Sequence, residues 1–244
     1  MDNADRTYRR WIETDLRTFE VRIGESDLLI SVERTGTGCA AVQRCPSPCG
    51  SAERALRLAR AELEAYIARD PEFERTLRPR DALAGTPAIA RRMIEAARGC
   101  DVGPMAAVAG AVAQVVGEAL LAESRQVIVE NGGDIFLYTA RPRTAAIYAG
   151  GSPLSGTVGI KVGRLNEPLG LCTSSGTVGP SLSFGKADAA ATALGNRVKT
   201  AADIEPALEA VSQTPGIYGL AAIIGDHLGA WGEMELVRLA AADM

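Results

Sequence analysis

The fold is set by the stretch Val127-Ile128-Val129-Glu130-Asn131-Gly132-Gly133-Asp134-Ile135-Phe136-Leu137. Two apolar runs flank a polar, glycine-rich turn, which indicates two β-strands joined by a hairpin turn or interrupted by a bulge. Paired glycines also let a backbone approach a ligand closely and offer its amide groups as hydrogen-bond donors. Both interpretations stay open on the residues alone: a structural turn, or a ligand-binding turn formed by Asn131, Gly132, Gly133 and Asp134.

Similar patterns continue on both sides of this stretch. Strands are predicted at 19–24, 28–33, 126–129, 135–139, 145–148, 157–162 and 169–173, and a last hairpin at Gly225-Asp226. Helices are predicted at 51–69, 87–99, 104–122 and 204–212, and one more from about Ala187. We therefore expect an α+β fold in which a mostly antiparallel sheet packs with helices. No internal repeat or linker interrupts the pattern, so a single domain over 1–244 is the simplest division.

Composition and charge limit the partners. The chain has 244 residues, 47% of them hydrophobic, with a formal net charge of -4 and a pI near 5.3. A general nucleic-acid binder needs a basic surface that displaces counterions from the phosphate backbone, so this class is not expected. Small ligands or protein partners are favoured.

The apolar run from Met105 to Ala122 approaches the length of a membrane span. It contains Gln114 and Glu118, and an acidic group inside a bilayer is costly, so a buried helix is the better interpretation. The charged N-terminal residues, 1–17, lack the apolar region of a secretory signal. We therefore expect a cytoplasmic protein without a membrane partner.

The cysteines and the single histidine do not indicate a structural zinc site or a catalytic triad. Cys39, Cys45 and Cys49 form the only cluster of thiols, and their spacing does not match the tight pairs of a structural zinc site. An odd count of five cysteines in a chain of this size favours reduced thiols. His227 stands beside the predicted turn at Gly225-Asp226 and is expected at the surface, because its neighbours are hairpin-turn residues. A single histidine there is poor material for a catalytic triad, which needs its base beside the nucleophile.

A second polar turn offers the hydroxyl groups of a potential anion site. It comprises Thr173, Ser174, Ser175, Gly176 and Thr177. Such turns can form concave sites for phosphates, but they also occur as plain loops, and the residues alone do not separate the two.

Asp188 and Thr192 follow this turn and are four residues apart. That spacing places them on one helix face. Mg²⁺ takes oxygen ligands and keeps phosphates or water in its shell, so this carboxylate and hydroxyl could bind it together. The alternative is that Asp188 merely stabilises the helix dipole and Thr192 lies on the surface.

The segments around these motifs resemble the ApbE superfamily, from Phe19 nearly to the C-terminus, and most closely its uncharacterised branch. The matching segments, in order, are Asp101-Val102-Gly103-Pro104-Met105-Ala106, Asn131-Gly132-Gly133-Asp134-Ile135, Thr173-Ser174-Ser175-Gly176-Thr177 and Ala187-Asp188 through Thr192. ApbE proteins are α+β flavin transferases that move FMN from FAD to a threonine of a target protein with Mg²⁺. The resemblance implies Asp188 and Thr192 as metal ligands, Gly103, Met105 and the two turns as ligand-binding residues, and FAD or FMN as the cofactor.

The chain also departs from the transferases of this superfamily. They carry a His-x-x-Asp-Pro segment between the Thr-Ser-Gly turn and the Ala-Asp motif, and nothing between Gly176 and Ala187 supplies it. The leading hypothesis is therefore a module that binds a flavin or a related phosphorylated ligand, with Mg²⁺ as a possible companion. The alternatives are a Mg²⁺-dependent flavin transferase with a protein acceptor, and a structural or assembly protein.

Overall fold

The computed structural model describes residues 6, 9, 14–34, 47–174, 177–181 and 184–239. The strands are β1 Arg17–Ile23, β2 Ser26–Val32, β3 Val127–Asn131, β4 Asp134–Tyr138, β5 Arg143–Ala146, β6 Val158–Val162, β7 Leu169–Ser174, β8 Thr177–Ser181, β9 Gly219–Ile224, β10 His227–Gly232 and β11 Glu235–Arg238. The α-helices are α1 Pro48–Arg69, α2 Glu72–Arg75, α3 Ala88–Cys100, α4 Val108–Leu120, α5 Phe184–Arg197 and α6 Ile204–Ser212. The α+β class expected from the sequence is confirmed.

Eight strands form one antiparallel sheet in the order β1-β2-β3-β4-β7-β8-β9-β10. The strands β11, β6 and β5 form a second, three-stranded antiparallel sheet. The hairpin predicted from the opening stretch is real, because β3 and β4 pair from Val127 opposite Tyr138 to Asn131 opposite Asp134.

Helices cover one face of the large sheet. The buried residues of α1 recur at helical spacing: Ala52, Leu56, Ala59, Leu63 and Tyr66. Ser47 caps the start of this helix by accepting a hydrogen bond from the Gly50 amide at 3.3 Å. The side chains of β2 and β3 that face the helices, such as Ile30 and Val129, are fully buried in the same apolar core. This core fixes the register, since a shift by one residue would turn these side chains away from the helices.

A second apolar core lies on the opposite face of the large sheet. Leu137, Leu171 and Val178 of the large sheet pack there with Ile147 and with Ile160 of the small sheet. The large sheet is therefore covered on both faces, by helices on one side and by the small sheet on the other.

The structure corrects several predicted boundaries. The sequence showed no strand between the turn at 173–177 and the following helix, yet β8 occupies Thr177–Ser181. The α5 helix begins at Phe184 rather than at about Ala187. The short β11 was also missed, because its pairing with β6 is a long-range contact. The segment predicted as one helix over 104–122 begins as a 3-10 turn, Pro104–Ala107, before α4.

Among the described residues, no single helix is long and apolar enough to cross a membrane. One pair of helical segments, Ala88–Cys100 and Pro104–Leu120, passes that test of length and composition jointly, with a bend of 103° between them.

Candidate functional site

The β3–β4 hairpin divides its polar residues between the two faces of the large sheet. Asn131 points to the helices, where its Nδ2 donates to the Ala109 carbonyl at 3.1 Å. Glu130 points to the other face, because successive side chains of a strand alternate. The polar residues of this hairpin therefore lie at the same end of the two strands but on opposite faces of the sheet.

The turn itself needs glycine. Gly132 and Gly133 adopt φ values of +67° and +101°, which residues with a Cβ rarely adopt. A Cβ on Gly133 would also lie 2.5 Å from the Thr173 Oγ1 of β7. The Gly133 amide donates to the Glu130 carboxylate at 2.8 Å. The turn therefore packs tightly against β7, and the Gly132 amide lies next to this contact.

Asp134 and Asp188 form a buried pair of carboxyl groups on the helix side. Their exposed fractions are 4% and 7%. The Asp134 Oδ1 accepts a hydrogen bond from the Thr173 amide at 3.0 Å, and the Asp188 Oδ2 accepts one from the Gly110 amide at 3.0 Å. The two carboxyl groups are close enough for each to affect the pKa of the other. Because like charges repel each other, two buried carboxyl groups this close do not readily ionise together.

Gly110 makes this arrangement possible. A Cβ at this position would lie 2.5 Å from the Phe184 carbonyl oxygen and 3.0 Å from the Asp188 Cβ. Without a side chain at Gly110, α4 packs closely enough on α5 for its backbone amide to reach the Asp188 carboxylate. This close approach agrees with the small residues that the sequence places along α4.

Burial dominates the protonation of this pair. Loss of solvent raises the pKa of Asp188 well above its usual value, and the neighbouring Asp134 charge raises it further. Burial likewise raises the pKa of Asp134, although the hydrogen bond from the Thr173 amide and the interaction with Asp188 act in the opposite direction. Burial and the two carboxylates also raise the pKa of the adjacent Cys172 thiol, which therefore remains protonated at neutral pH.

The structure places the other predicted residues at varying distances from this pair. Thr177 lies nearby on β8, but its hydroxyl is used structurally, since its single proton lies within hydrogen-bond reach of two backbone carbonyls, those of Ser174 at 2.5 Å and Ala191 at 2.8 Å. Thr192 lies one turn after Asp188 on α5 and is half-buried. No hydrogen bond joins its side chain to the part of the chain that the structure describes.

Gly103 and Met105 have packing contacts. Gly103 is buried against the backbone carbonyl of Thr76, and Met105 is half-buried against the helix-side core. Ser174 ends β7 and is half-buried, whereas Ser175 and Gly176 lie outside the described residues, as do Cys39 and Cys45. The described cysteines Cys49, Cys100 and Cys172 are free thiols, as expected.

A cavity of about 630 Å³ lies between the two sheets. Its walls include Gly132, Gly133 and Thr173, so it reaches the same turn that adjoins the carboxyl pair on the other face. Apolar side chains form most of the remaining wall: Leu29, Ile128, Ile135, Leu137, Ile160 and Leu171. Glu130, Arg143 and Tyr148 contribute polar groups. A mostly apolar pocket with few polar groups is typical of a small-molecule site.

Two arginines near the N-terminus neutralise the acidic end of the cavity. Arg9 contacts the Glu130 carboxylate at 2.6 Å and the Asp27 carboxylate at 2.9 Å. Arg6 contacts Asp27 at 3.5 Å, and its guanidinium is the nearest group to the open side of Gly132. Burial alone would raise the pKa of Asp27, but the hydrogen bond from Arg9 and the nearby arginine charges lower it overall. The arginine charges beside the glycine turn are therefore already paired with carboxylates.

Several of these residues carried a weak signal in the sequence. Glu130 is a charged residue within an apolar strand, and a charge that alternation places on a covered face needs a partner. Its partner Arg9 is distant in the chain and could not be inferred. Asp134 was expected in the ligand turn, and only the fold shows that it adjoins Asp188. His227 lies at the exposed surface beside Asp226, as expected, and not at this site.

The residues at this site could hold Mg²⁺ only if other ligands, such as phosphate or water, completed its coordination shell. Among the described residues, no group of three or more His, Cys, Asp or Glu side chains could hold a metal ion. The pair Asp134 and Asp188 nevertheless supplies hard oxygen donors, and Mg²⁺ is commonly bound by one or two carboxylates plus substrate phosphates and water. A cation would also offset the repulsion between two carboxyl groups that lie close together in a buried site.

Comparisons with known proteins agree with this architecture. The chain is 42% identical over 198 residues to a UPF0280 protein of Methanocella arvoryzae, covering 75% of this chain and 80% of that protein. It is 40% identical over 214 residues to a UPF0280 protein of Methanosarcina acetivorans, covering 80% and 83% of the two chains. Both relatives match most of their length.

Two solved structures share the fold. The apo flavinyl transferase ApbE of Pseudomonas stutzeri superposes with a TM-score of 0.51 at 13% identity, over 89% of this chain and 94% of that one. The H257G mutant of the flavin transferase ApbE from Vibrio cholerae gives a TM-score of 0.52 at 12% identity, over 89% and 97%. The family model described as AbpE bacteria matches residues 9–215. The ApbE-like resemblance predicted from the motifs is thus confirmed, and the chain belongs to the AbpE bacteria family.

Proposed function

We propose that this protein binds a flavin or a related phosphorylated nucleotide, with the phosphate end at the Gly132-Gly133 turn and with Mg²⁺ as a companion. The observation that carries this proposal is the junction at the end of β3 and β4. The glycine turn, two arginines that pair with Asp27 and Glu130, the buried carboxyl pair and one wall of the mostly apolar cavity lie close together there. A ligand with one charged end and one apolar end matches this arrangement.

Charge balance supports a metal in this proposal. Arg9 already pairs with Glu130, and Arg6 with Asp27. The Asp134 and Asp188 carboxyl groups, by contrast, have no arginine or lysine within ion-pair distance among the described residues. They would repel a phosphate brought close to them. Bound Mg²⁺ would supply the positive charge that lets carboxylates and phosphates approach each other. Asp188, with Thr192 one helical turn later, and Asp134 are the proposed metal-binding residues.

The likeness to flavin transferases suggests transfer chemistry as the second candidate function. The spacing of Asp188 and Thr192 favours it. The missing His-x-x-Asp-Pro segment argues against it, as does the position of His227 on the edge strand β10, away from the carboxyl pair. The single histidine of this chain is therefore not placed to act as a general base at the carboxyl pair. We therefore propose binding without transfer of FMN to a threonine.

Calorimetry tests the binding proposal. FMN, FAD and ADP are titrated into the protein with Mg²⁺ and with EDTA. We expect tighter binding with Mg²⁺, and we expect Asp188→Asn to remove most of that difference. Asp81→Asn is the matched control, because the Asp81 side chain is exposed and pairs only with Arg98 among described residues. The absence of binding by all three nucleotides would leave a structural role as the better description.

Mass measurement tests the transfer alternative. The protein is incubated with FAD, Mg²⁺ and an acceptor peptide that contains threonine. We expect the mass of the acceptor to remain unchanged. An increase equal to one FMN, less the elements of water, would show that the chain is a transferase.

A further inference from the structure

Glu130 is a buried carboxylate at the point where the inter-sheet cavity reaches the glycine turn, Gly132-Gly133. Its side chain is 6% exposed, and it belongs to the same cavity wall as the two glycines. Its Oε1 accepts a hydrogen bond from the Gly133 amide at 2.8 Å. Its Oε2 accepts from the Arg9 Nε at 2.6 Å, and the Arg9 Nη2 lies at the same distance. Glu130 therefore connects Arg9 to the turn.

Asp27 holds the other side of the Arg9 guanidinium. Nη1 donates to the Asp27 Oδ1 at 2.9 Å, and Nη2 donates to the Asp27 carbonyl at 2.8 Å. A guanidinium is planar and its donors point in fixed directions, so bonds to two separate groups leave it little freedom. Asp27 lies on β2 and Glu130 on β3, which are neighbours in the large sheet. Arg9 thus links these two strands at the end where the glycine turn begins.

The loss of Arg9 would change both the charge and the geometry beside the turn. A buried carboxylate that loses its ion-pair partner is strongly destabilised, because few other groups compensate its charge. The Glu130 carboxylate would then repel a phosphate at the adjacent turn. It would also be held less firmly under the Gly133 amide. Arg9 can therefore control this turn without touching a ligand.

We infer that Arg9 is a positioning residue, which fixes the glycine turn through Glu130 and thereby sets the preference of the site for a ligand that carries a phosphate. The inference rests on the proposed function, because it concerns the phosphate end of the same ligand. Arg9 is not part of the cavity wall. Its loss should therefore affect the phosphate end of the ligand far more than the apolar end.

The test compares Arg9→Met with Arg22→Met by titration of FMN and of riboflavin, which lacks the phosphate. Arg22 also contacts Asp27, at 3.3 Å, but its side chain is 56% exposed and its second ion pair is with Glu20. We expect Arg9→Met to weaken FMN by about tenfold or more, as for the loss of a hydrogen bond to a charged group. Riboflavin should be weakened much less. We expect Arg22→Met to change either affinity by less than about twofold.

Two further measurements separate positioning from a general loss of stability. In the ligand-free protein, hydrogen exchange of the Gly133 amide should accelerate by about tenfold or more in Arg9→Met, whereas exchange of the Val129 amide, in the same strand as Glu130, should not. The double variant Arg9→Met, Glu130→Gln keeps an oxygen that can accept from the Gly133 amide but removes the carboxylate charge. Its FMN affinity should recover most of the loss seen in Arg9→Met, because the two residues act as a unit.

The outcomes distinguish this inference from the proposed function. If wild type binds FMN and Arg9→Met loses FMN and riboflavin affinity to the same extent, or loses neither, the role of Arg9 is wrong while the proposed function stands. A double variant that binds FMN no better than Arg9→Met would contradict an action through Glu130. If wild type binds neither ligand, the proposed function is wrong and the phosphate preference falls with it, whereas the exchange of Gly133 still shows whether Arg9 holds the turn.

Arg9→Lys takes the place of Arg9→Met if the latter fails to fold. An ammonium group keeps the positive charge but cannot reproduce the fork of donors that reaches both carboxylates. We expect a smaller loss of FMN affinity in this variant, again with riboflavin affected less. FMN affinity and Gly133 exchange that both equal those of wild type would overturn the inference.

Discussion

At the scale of single residues, an ionised Asp188 in the buried carboxyl pair lowers the free energy of unfolding when no metal is bound. A carboxyl group whose pKa is raised on folding reduces stability at every pH above its pKa in the unfolded chain, which is about 4. The free energy of unfolding of the metal-free protein should therefore fall as the pH rises from about 4 towards neutrality. The side chain introduced by Asp188→Asn would keep an oxygen that can accept from the Gly110 amide but would remove the repulsion between the two buried carboxyl groups.

We therefore predict that Asp188→Asn raises the melting temperature of the metal-free protein at neutral pH. The increase should be a few degrees, since a change of 1 kcal/mol corresponds to about 2–4 °C for a chain of this size. It should shrink as the pH falls to about 4 and vanish below that value, where the carboxyl groups of wild type are protonated in both states. Thermal unfolding in EDTA between these pH values measures it. A variant less stable than wild type at neutral pH would contradict the carboxyl pair as described.

At the scale of elements, the β3–β4 turn and β7 act as one unit because Gly133 and Thr173 are in contact. Gly133→Ala would force φ of +101° on a residue with a Cβ and bring that Cβ 2.5 Å from the Thr173 Oγ1. The backbone cost alone is about 1–3 kcal/mol. At Gly132 the nearest atom to an added Cβ is 3.9 Å away, so Gly132→Ala carries the backbone cost without the collision.

We predict that Gly133→Ala lowers the free energy of unfolding more than Gly132→Ala does. Thr173→Ala should recover part of the loss in the double variant, because it removes the hydroxyl that the new Cβ meets. Urea unfolding of the three single variants and the double variant measures this coupling. Flavin affinity should fall in Gly133→Ala even under conditions where the variant is fully folded. A loss of affinity that only parallels the loss of stability would make the turn purely structural.

The elements also show what the sequence could and could not establish. Period-two and helical spacing predicted most strands and helices, because apolar faces must be buried. The β8 strand was missed because Thr177-Val178-Gly179-Pro180-Ser181 contains Gly and Pro, which are depleted in strands, and its pairing with β7 and β9 overrides that preference. The motifs predicted Asn131, Asp134 and Asp188 as site residues. Their proximity on the helix side of the sheet, and the cavity on its other face, depend on long-range packing that local patterns do not record.

At the scale of the whole molecule, the large sheet connects two apolar cores. The helix-side core includes Leu56 of α1, and the core under the small sheet includes Ile160 of β6. Adjacent residues of the same strands serve both cores, as Ile128 and Val129 do on β3. Loss of either core would leave one face of the large sheet exposed to water. We therefore propose that the described residues fold as a single domain, as the sequence led us to expect.

The corresponding prediction is one unfolding transition that both cores control. Leu56→Ala and Ile160→Ala should each destabilise the protein by about 2–5 kcal/mol, the usual cost of removing a buried aliphatic side chain. Both should lower the same melting temperature, measured by calorimetry and by far-ultraviolet circular dichroism. The two probes must also give coincident transitions. If two separate transitions are seen and Ile160→Ala shifts only one of them, the small sheet and its cavity unfold separately from the helix-covered core. In that case a ligand that contacts both faces of the large sheet should merge the two transitions into one, because it binds only the fully folded state.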